Sequence, residues 1–396
     1  MTSCWDEVVG QPETVAVLRR AAGAAAAIVN GAADPDRAAM SHSWLFTGPP
    51  GSGRSVAARA FAAALQCPNG GCGACPQCHT VQAGTHADVH VVLPEGLSIP
   101  VKDVRALVRT AARRPAAGRW QVVIVEDADR LTEGAANALL KAVEEPPERT
   151  VFLLCAPSTH PDDVSVTLRS RCRSIALRVP DDAAVAEVLV RRDGVDPAQA
   201  AWAAGAAQGH VGRARWLARD EQARIRRSAV LDIPLSLRTL ADCFAAADEL
   251  VGGAEEEAAA RAAERDGPET EALKVALGAG GTGKGAALAT RGSAAQLKDL
   301  ERRQRSRATR SQRDSLDRAL VDLAGFYRDV LTAQSGSGST LWHADRETDV
   351  RRMARGLSAE GALRRLEAVL AAREAVELNV KPRVAVEAMA VALRLP

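Results

Sequence analysis

Two runs, Val122-Val123-Ile124-Val125 and Val151-Phe152-Leu153-Leu154, are apolar at every position and so have no side to show to water. Strands of that kind belong in the middle of a sheet covered on both faces, the usual setting of a parallel sheet with helices above and below it. Three further β-like runs, at residues 44–47, 89–93 and 174–179, alternate with segments of helical period, and the central pair extends over 121–126 and 151–155. Residues 1–179 are therefore expected to form an α/β domain around a parallel sheet. After Pro180 the β signal ends and Asp181-Asp182 opens a helical pattern. Residues 180–221 are read as a small helical domain and 222–396 as a larger all-α one. Loops are expected at Gly252-Gly253, at 278–292 and at 335–339. The stretch 252–292, mostly Ala, Glu and Gly, is read as a flexible excursion with no chemistry assigned to it.

Charge narrows the function classes. The 51 Lys and Arg against 49 Asp and Glu leave a formal charge of +2, so any contact with nucleic acid has to be local or indirect. Aromatic residues make up 3%, too few for rows of base-stacking platforms. The segment Met1-Thr2-Ser3-Cys4-Trp5-Asp6-Glu7 has neither a basic nor an apolar signal region, and no run of about 18 apolar residues follows, so a soluble, cytoplasmic protein is expected.

Gly48-Pro49-Pro50-Gly51-Ser52-Gly53-Arg54-Ser55 lies between an expected strand and a helix at 56–65, the setting in which a P-loop has physical meaning. Backbone N–H groups of such a loop cradle phosphate oxygens, and Ser55 is placed to hold Mg²⁺. The position that calls for Lys carries Arg54, whose planar guanidinium is no substitute for a compact ammonium between the β and γ phosphates. Glu126-Asp127 ends the strand at which a P-loop ATPase needs one carboxylate for Mg²⁺ and a second to polarise water, here in inverted order. Asp127 is then about a methylene too short for its task, and carboxylates merely closing a strand are the plain alternative. Gly48, Gly51, Gly53, Arg54, Ser55, Glu126 and Asp127 thus make a degenerate nucleotide and Mg²⁺ site, with ATP binding open and hydrolysis weak or absent. A second glycine-rich stretch, 278–285, has a Lys but no hydroxyl after it and no strand before it, and is read as a turn.

Cys67, Cys72, Cys75 and Cys78 are four of the chain's eight cysteines, crowded into one Gly/Pro-containing loop. That spacing points to structural Zn²⁺ with four thiolates and no open coordination position. A redox dithiol, or a ligand place taken by His79, His86 or His90, remains the alternative. Ser170-Arg171-Cys172 precedes the last expected strand. Spacing alone makes Arg169, Arg171 and Arg173 look like a solvated edge.

In their order, Val9-Gly10-Gln11, the P-loop with its cysteine module, Glu126-Asp127-Ala128-Asp129, the segment Asn137 through Glu144-Glu145-Pro146-Pro147, and Ser170-Arg171-Cys172 resemble bacterial clamp-loader AAA+ subunits. Three departures make them similar to the delta-prime branch rather than the gamma/tau motor: Arg54 in place of Lys, Ala156-Pro157 where the motor has a sensor Thr, and Gly212 where it has a sensor Arg. The resemblance covers residues 1 to about 220. It implies a Rossmann-like AAA+ domain, a three-helix lid and a helical collar closing a pentameric ring with gamma/tau and delta subunits. The ring would load the sliding β clamp onto primer-template DNA as part of the DNA polymerase III holoenzyme, with this chain as a stator lending Arg171 as an arginine finger in trans. An active motor subunit and a zinc-bearing DNA-binding adaptor are the competing readings.

Overall fold

Strands β1 Ser43–Thr47, β2 Val89–Val92, β3 Gln121–Val125, β4 Thr150–Ala156 and β5 Arg173–Ala176 form one sheet in the order β2-β3-β4-β1-β5. Every pairing is parallel, with Trp44 opposite Leu153, Val122 opposite Val151 and Phe46 opposite Ile175. This is a computed structural model that describes residues 3–33, 36, 38–94, 96–116, 118–276 and 286–395. Helices α1 Pro12–Val29, α2 Arg54–Gln66, α3 Pro76–Gln82, α4 Val101–Ala111, α5 Glu133–Glu144 and α6 Val166–Arg169 surround the strands. The period-2 alternation of the strands sorts the core into two layers. Trp44, Phe46, Val122, Ile124, Val151 and Leu153 pack with α1 and α2, whereas Leu45, Val123, Val125, Phe152 and Leu154 pack with α4 and α5. Each of these large side chains is fully buried, worth about 1.5–3 kcal/mol apiece. The doubly apolar runs are thus central strands, as their composition requires.

The connection from β1 leads to β2 at the far edge of the sheet, while the later connections step back the other way. Right-handed crossovers then send α2 to one face and α4 and α5 to the other, opening a crevice at the carboxyl ends of β1 and β4. There the N–H of Gly48 donates to the carbonyl of Pro157 at 3.1 Å.

Helices α7 Asp182–Asp193, α8 Pro197–Ala207 and α9 Val211–Arg219 follow the sheet, capped by Asp181 and Asp196. The chain divides into two compact units, Met1–Arg219 and Asp220–Pro396. The second is helical, with no strand among its described residues: α10 Glu221–Ser236, α11 Leu240–Ala276, α12 Ala286–Ser335, α13 Glu347–Gly356, α14 Ala359–Glu377 and α15 Pro382–Arg394. Its core gathers Leu316, Leu320, Leu323, Phe326 and Tyr327 of α12 with residues of α11, α14 and α15. The expected break at Gly252-Gly253 does not occur, because both glycines lie inside α11. Each costs a helix about 1 kcal/mol, and the burial of Leu250, Val251 and Ala254 around them offsets it. Likewise most of 252–292, read as an excursion, belongs to α11 and α12. The glycine-rich stretch 278–285 lies outside the described residues. Among the described residues no helix is long and apolar enough to cross a membrane.

Candidate functional site

The loop from Gly48 to Gly53 leads into α2 with Gly53 in the left-handed region, φ 84°, and no side chain caps that helix. The first N–H groups of α2 therefore face the crevice as an anion-binding end. Gly51 has to be glycine: a Cβ there would stand 3.0 Å from Cβ of His210. Thus His210, at the start of α9, closes over the loop. Its Nδ1 accepts from the N–H of Arg213 at 3.2 Å. Arg213 itself is 9% exposed. The guanidinium of Arg54 turns back and donates to the carbonyl of Gly48 in its own loop.

Glu126 is buried at the end of β3, and Oε1 accepts from Nε and Nη2 of Arg59 on α2, at 3.1 and 2.8 Å. Arg59 stands one turn after Ser55, so the carboxylate expected to serve Mg²⁺ already has a fixed cation beside it. Asp127 adopts φ 52°, an uncommon left-handed conformation for a side-chain-bearing residue. Burial, reinforced by the Asp127 charge, holds the Asp129 carboxyl above the usual carboxylate range. Around the loop, the guanidiniums of Arg54 and Arg59 are both bound to the protein's own oxygens.

Arg171 sits between α6 and β5. Its backbone carbonyl accepts from the Ser43 hydroxyl at 2.6 Å. The side chain reaches Oε1 of Glu144, the last residue of α5, at 2.6 Å and donates to the Thr167 carbonyl at 3.0 Å. It remains 37% exposed. The neighbouring arginines are not a uniform solvated row: Arg169 donates to the Thr159 carbonyl, and Arg173 lies over the Trp44 ring and donates to the Ala39 carbonyl.

The sulfurs of Cys67, Cys72, Cys75 and Cys78 lie within 4.8 Å of one another, and among the described residues no histidine joins the group. Tetrahedral Zn–S bonds of about 2.3 Å require S···S separations near 3.8 Å. Cys67 is 3.7 Å from both Cys72 and Cys75. The set can hold a metal ion. Burial works to raise the Cys67 thiol, yet N–H groups of Cys72, Gly71 and Asn69 aimed at the sulfur outweigh it and bring its pKa down to about 7. Burial pushes Cys75 and Cys78 up.

The start of the chain clamps this loop. Cys4 N–H and Ser3 hydroxyl donate to the Gly71 carbonyl, and the Trp5 indole donates to that of Gly70 at 2.9 Å. Gly71, at φ 97°, admits no side chain, since a Cβ would lie 2.4 Å from the Cys4 sulfur. Gln11 pairs in both directions with the backbone of Arg178, tying the chain start to the exit from the sheet. Sequence reasoning missed Arg59, His210 and the Ser3–Trp5 contacts. Only an Arg one turn after Ser55 and a His directly after the α8 terminator Gln208-Gly209 hinted at the first two.

Residues 29–181 match the family described as "DNA polymerase III, delta subunit". The chain is 39% identical over 170 residues to DNA polymerase III subunit delta' of Pseudomonas aeruginosa, covering 41% of this chain and 51% of that protein. It is 31% identical over 197 residues to the delta' subunit of Bacillus subtilis, covering 49% and 59%. DNA polymerase III subunit tau/gamma of Haemophilus influenzae is 33% identical over 154 residues, covering 38% and 22%. The chain spans about half the length of the curated delta' relatives it matches. Over that stretch the resemblance to delta-prime-type clamp-loader subunits is borne out.

Proposed function

We propose that this chain, of the delta-prime type over its N-terminal half, serves a clamp loader as a stator that completes a neighbour's ATPase site. Residues 180–221 act as the lid and 222–396 as the collar that joins gamma/tau and delta subunits in a ring. The ring places the sliding β clamp on primer-template DNA in the cytoplasm. One observation carries the reading: the cradle is intact in backbone but disarmed in side chains. Arg54 is turned onto Gly48 and Glu126 is held by Arg59, so nothing in the site is set to grip Mg²⁺ and a γ-phosphate together.

Arg171 is likewise held by protein oxygens, those of Glu144 and Thr167, but it stands at the surface, in the short link between α6 and β5. A guanidinium so held can meet a phosphate on an adjoining subunit and stabilise the charge that develops as the terminal phosphoryl leaves. The four cysteines hold zinc, which would knit the loop to the end of α2 and leave no place for a reacting water. The test against an active motor subunit is Ser55→Ala in a reconstituted ring whose other subunits are unaltered. Unchanged ATP turnover is expected, and a loss of turnover overturns the stator reading.

A further inference from the structure

Outside the hydrophobic core of the second unit, α11 and α12 continue alongside each other and hold together by polar pairs. The core takes in α11 only to Ala254 and α12 only from Leu316. Further out, Gln304 donates to Thr270 at 3.1 Å, Arg307 to Glu269, and Gln312 to Glu255 at 3.0 Å. Their charges are sorted by helix: residues 298–313 hold seven basic and two acidic side chains, residues 255–271 seven acidic and two basic.

The inner side of α12 is fixed by Leu300, Gln304, Arg307 and Ser315, at helical spacing, all of them buried or engaged with α11. At 100° per residue, Lys298, Arg302, Arg305, Thr309 and Arg313 fall on the opposite side. The first four are exposed, Arg302 to 74%. Arg302 shares the single carboxylate of Asp299 with Arg303, and among the described residues Arg313 meets the amide oxygen of Asn379, at 2.9 Å, and no acid. Among the described residues Lys298 and Arg305 pair with no acid.

We propose that this outer stripe of α12 binds the phosphate backbone of duplex nucleic acid. It presents four cations over about 22 Å of helix, close to one per turn, to a polymer whose phosphates repeat on a similar scale. Arginine dominates it, and a guanidinium pairs with phosphate through two N–H groups. No apolar or aromatic residue lies in the stripe, so it has neither the apolar centre of a protein interface nor a platform for stacking bases. Recognition is accordingly sequence-independent. It goes beyond the stator role and does not depend on it, and it agrees with a near-neutral chain that can touch nucleic acid only locally.

The test is fluorescence anisotropy of a labelled duplex of about 20 base pairs, titrated with the full chain from about 25 to 150 mM KCl. The log–log salt slope is expected near about −3.6 for four neutralised phosphates. Lys298→Gln/Arg302→Gln/Arg305→Gln is expected to bring it to about −1 and to weaken binding at least about tenfold at 50 mM KCl, with unchanged circular dichroism. Thr309→Lys, which adds a cation to the stripe, is expected to steepen the slope by about 0.9 and tighten binding. Absence of binding at the lowest salt, a slope untouched by either variant, or displacement of the duplex by polyglutamate as readily as by unlabelled duplex would overturn the proposal, the last by showing a surface for acidic protein.

Discussion

If Arg59 is what denies Glu126 to Mg²⁺, replacing it by Met should create metal dependence. A divalent ion bound to Oε1 at about 2.1 Å would stand roughly 4–5 Å from a guanidinium bonded to the same oxygen at 2.8 Å. Two charges against one at that distance repel by about 7 kcal/mol at an effective dielectric of about 20. Arg59 is 40% exposed, and water screening takes that to about half. Even the lower figure is more than about two decades in affinity. The assay is binding of a fluorescent ATP analogue in excess EDTA and in excess Mg²⁺. Wild type and Arg54→Lys should show no difference between the two conditions, since Arg54→Lys leaves the Arg59–Glu126 pair in place. Arg59→Met should bind at least about tenfold tighter with Mg²⁺, a conservative fraction of the repulsion removed. Mg²⁺-stimulated binding by wild type, or none by Arg59→Met, would rule out this role for Arg59.

Metal analysis should find one zinc per wild-type chain and much less in Cys72→Ser, with the variant's first unit melting earlier; zinc-free wild type would contradict this. Gly71→Ala puts a Cβ against the Cys4 sulfur and forces an L-residue into φ 97°, which costs about 1–2 kcal/mol in conformation and as much again in displacing Cys4 and Trp5. A melting temperature lowered by about 6–12 °C is expected, and one within about a degree of wild type would refute the clamp. His343 is fully buried, accepts from Arg227 at Nδ1, donates to the Asp322 carbonyl and lies beside Asp329, while Arg227 also pairs with Asp345. Burial first, and Arg227 next, hold it below the ordinary histidine pKa, against the raising pull of Asp322 and Asp329. The unfolded chain then takes up a proton that the folded one refuses, so stability is present above about pH 6.5 and falls as the pH drops below it, by at most about 1.4 kcal/mol per unit. Denaturation midpoints at pH 7.5 and 5.5 should fall further in wild type than in His343→Gln; equal falls would dismiss the assignment.

Sequence made the sheet legible because 122–125 and 151–154 admit no other surroundings, and the P-loop legible because Gly48 to Ser55 sits between a strand and a helix. The cysteine cluster was legible for a similar reason, as all four ligands are local. What stayed hidden depends on partners far along the chain. Arg59 meets Glu126 67 positions on, and Trp5 meets Gly70 65 positions on. No local pattern encodes either. Gly252 and Gly253 misled for the converse reason, since a local penalty was outweighed by packing. Arg171 could be singled out only through family resemblance, and its Glu144 partner only through the fold.

The most direct test is ATP turnover by the reconstituted clamp-loading ring on primed DNA, with Arg171→Ala in this subunit alone and assembly verified by size. An intact ring is expected, with turnover at the adjoining site lowered about 10³-fold, the low end of what a trans guanidinium contributes. An intact ring hydrolysing ATP at the wild-type rate would contradict the finger role of Arg171.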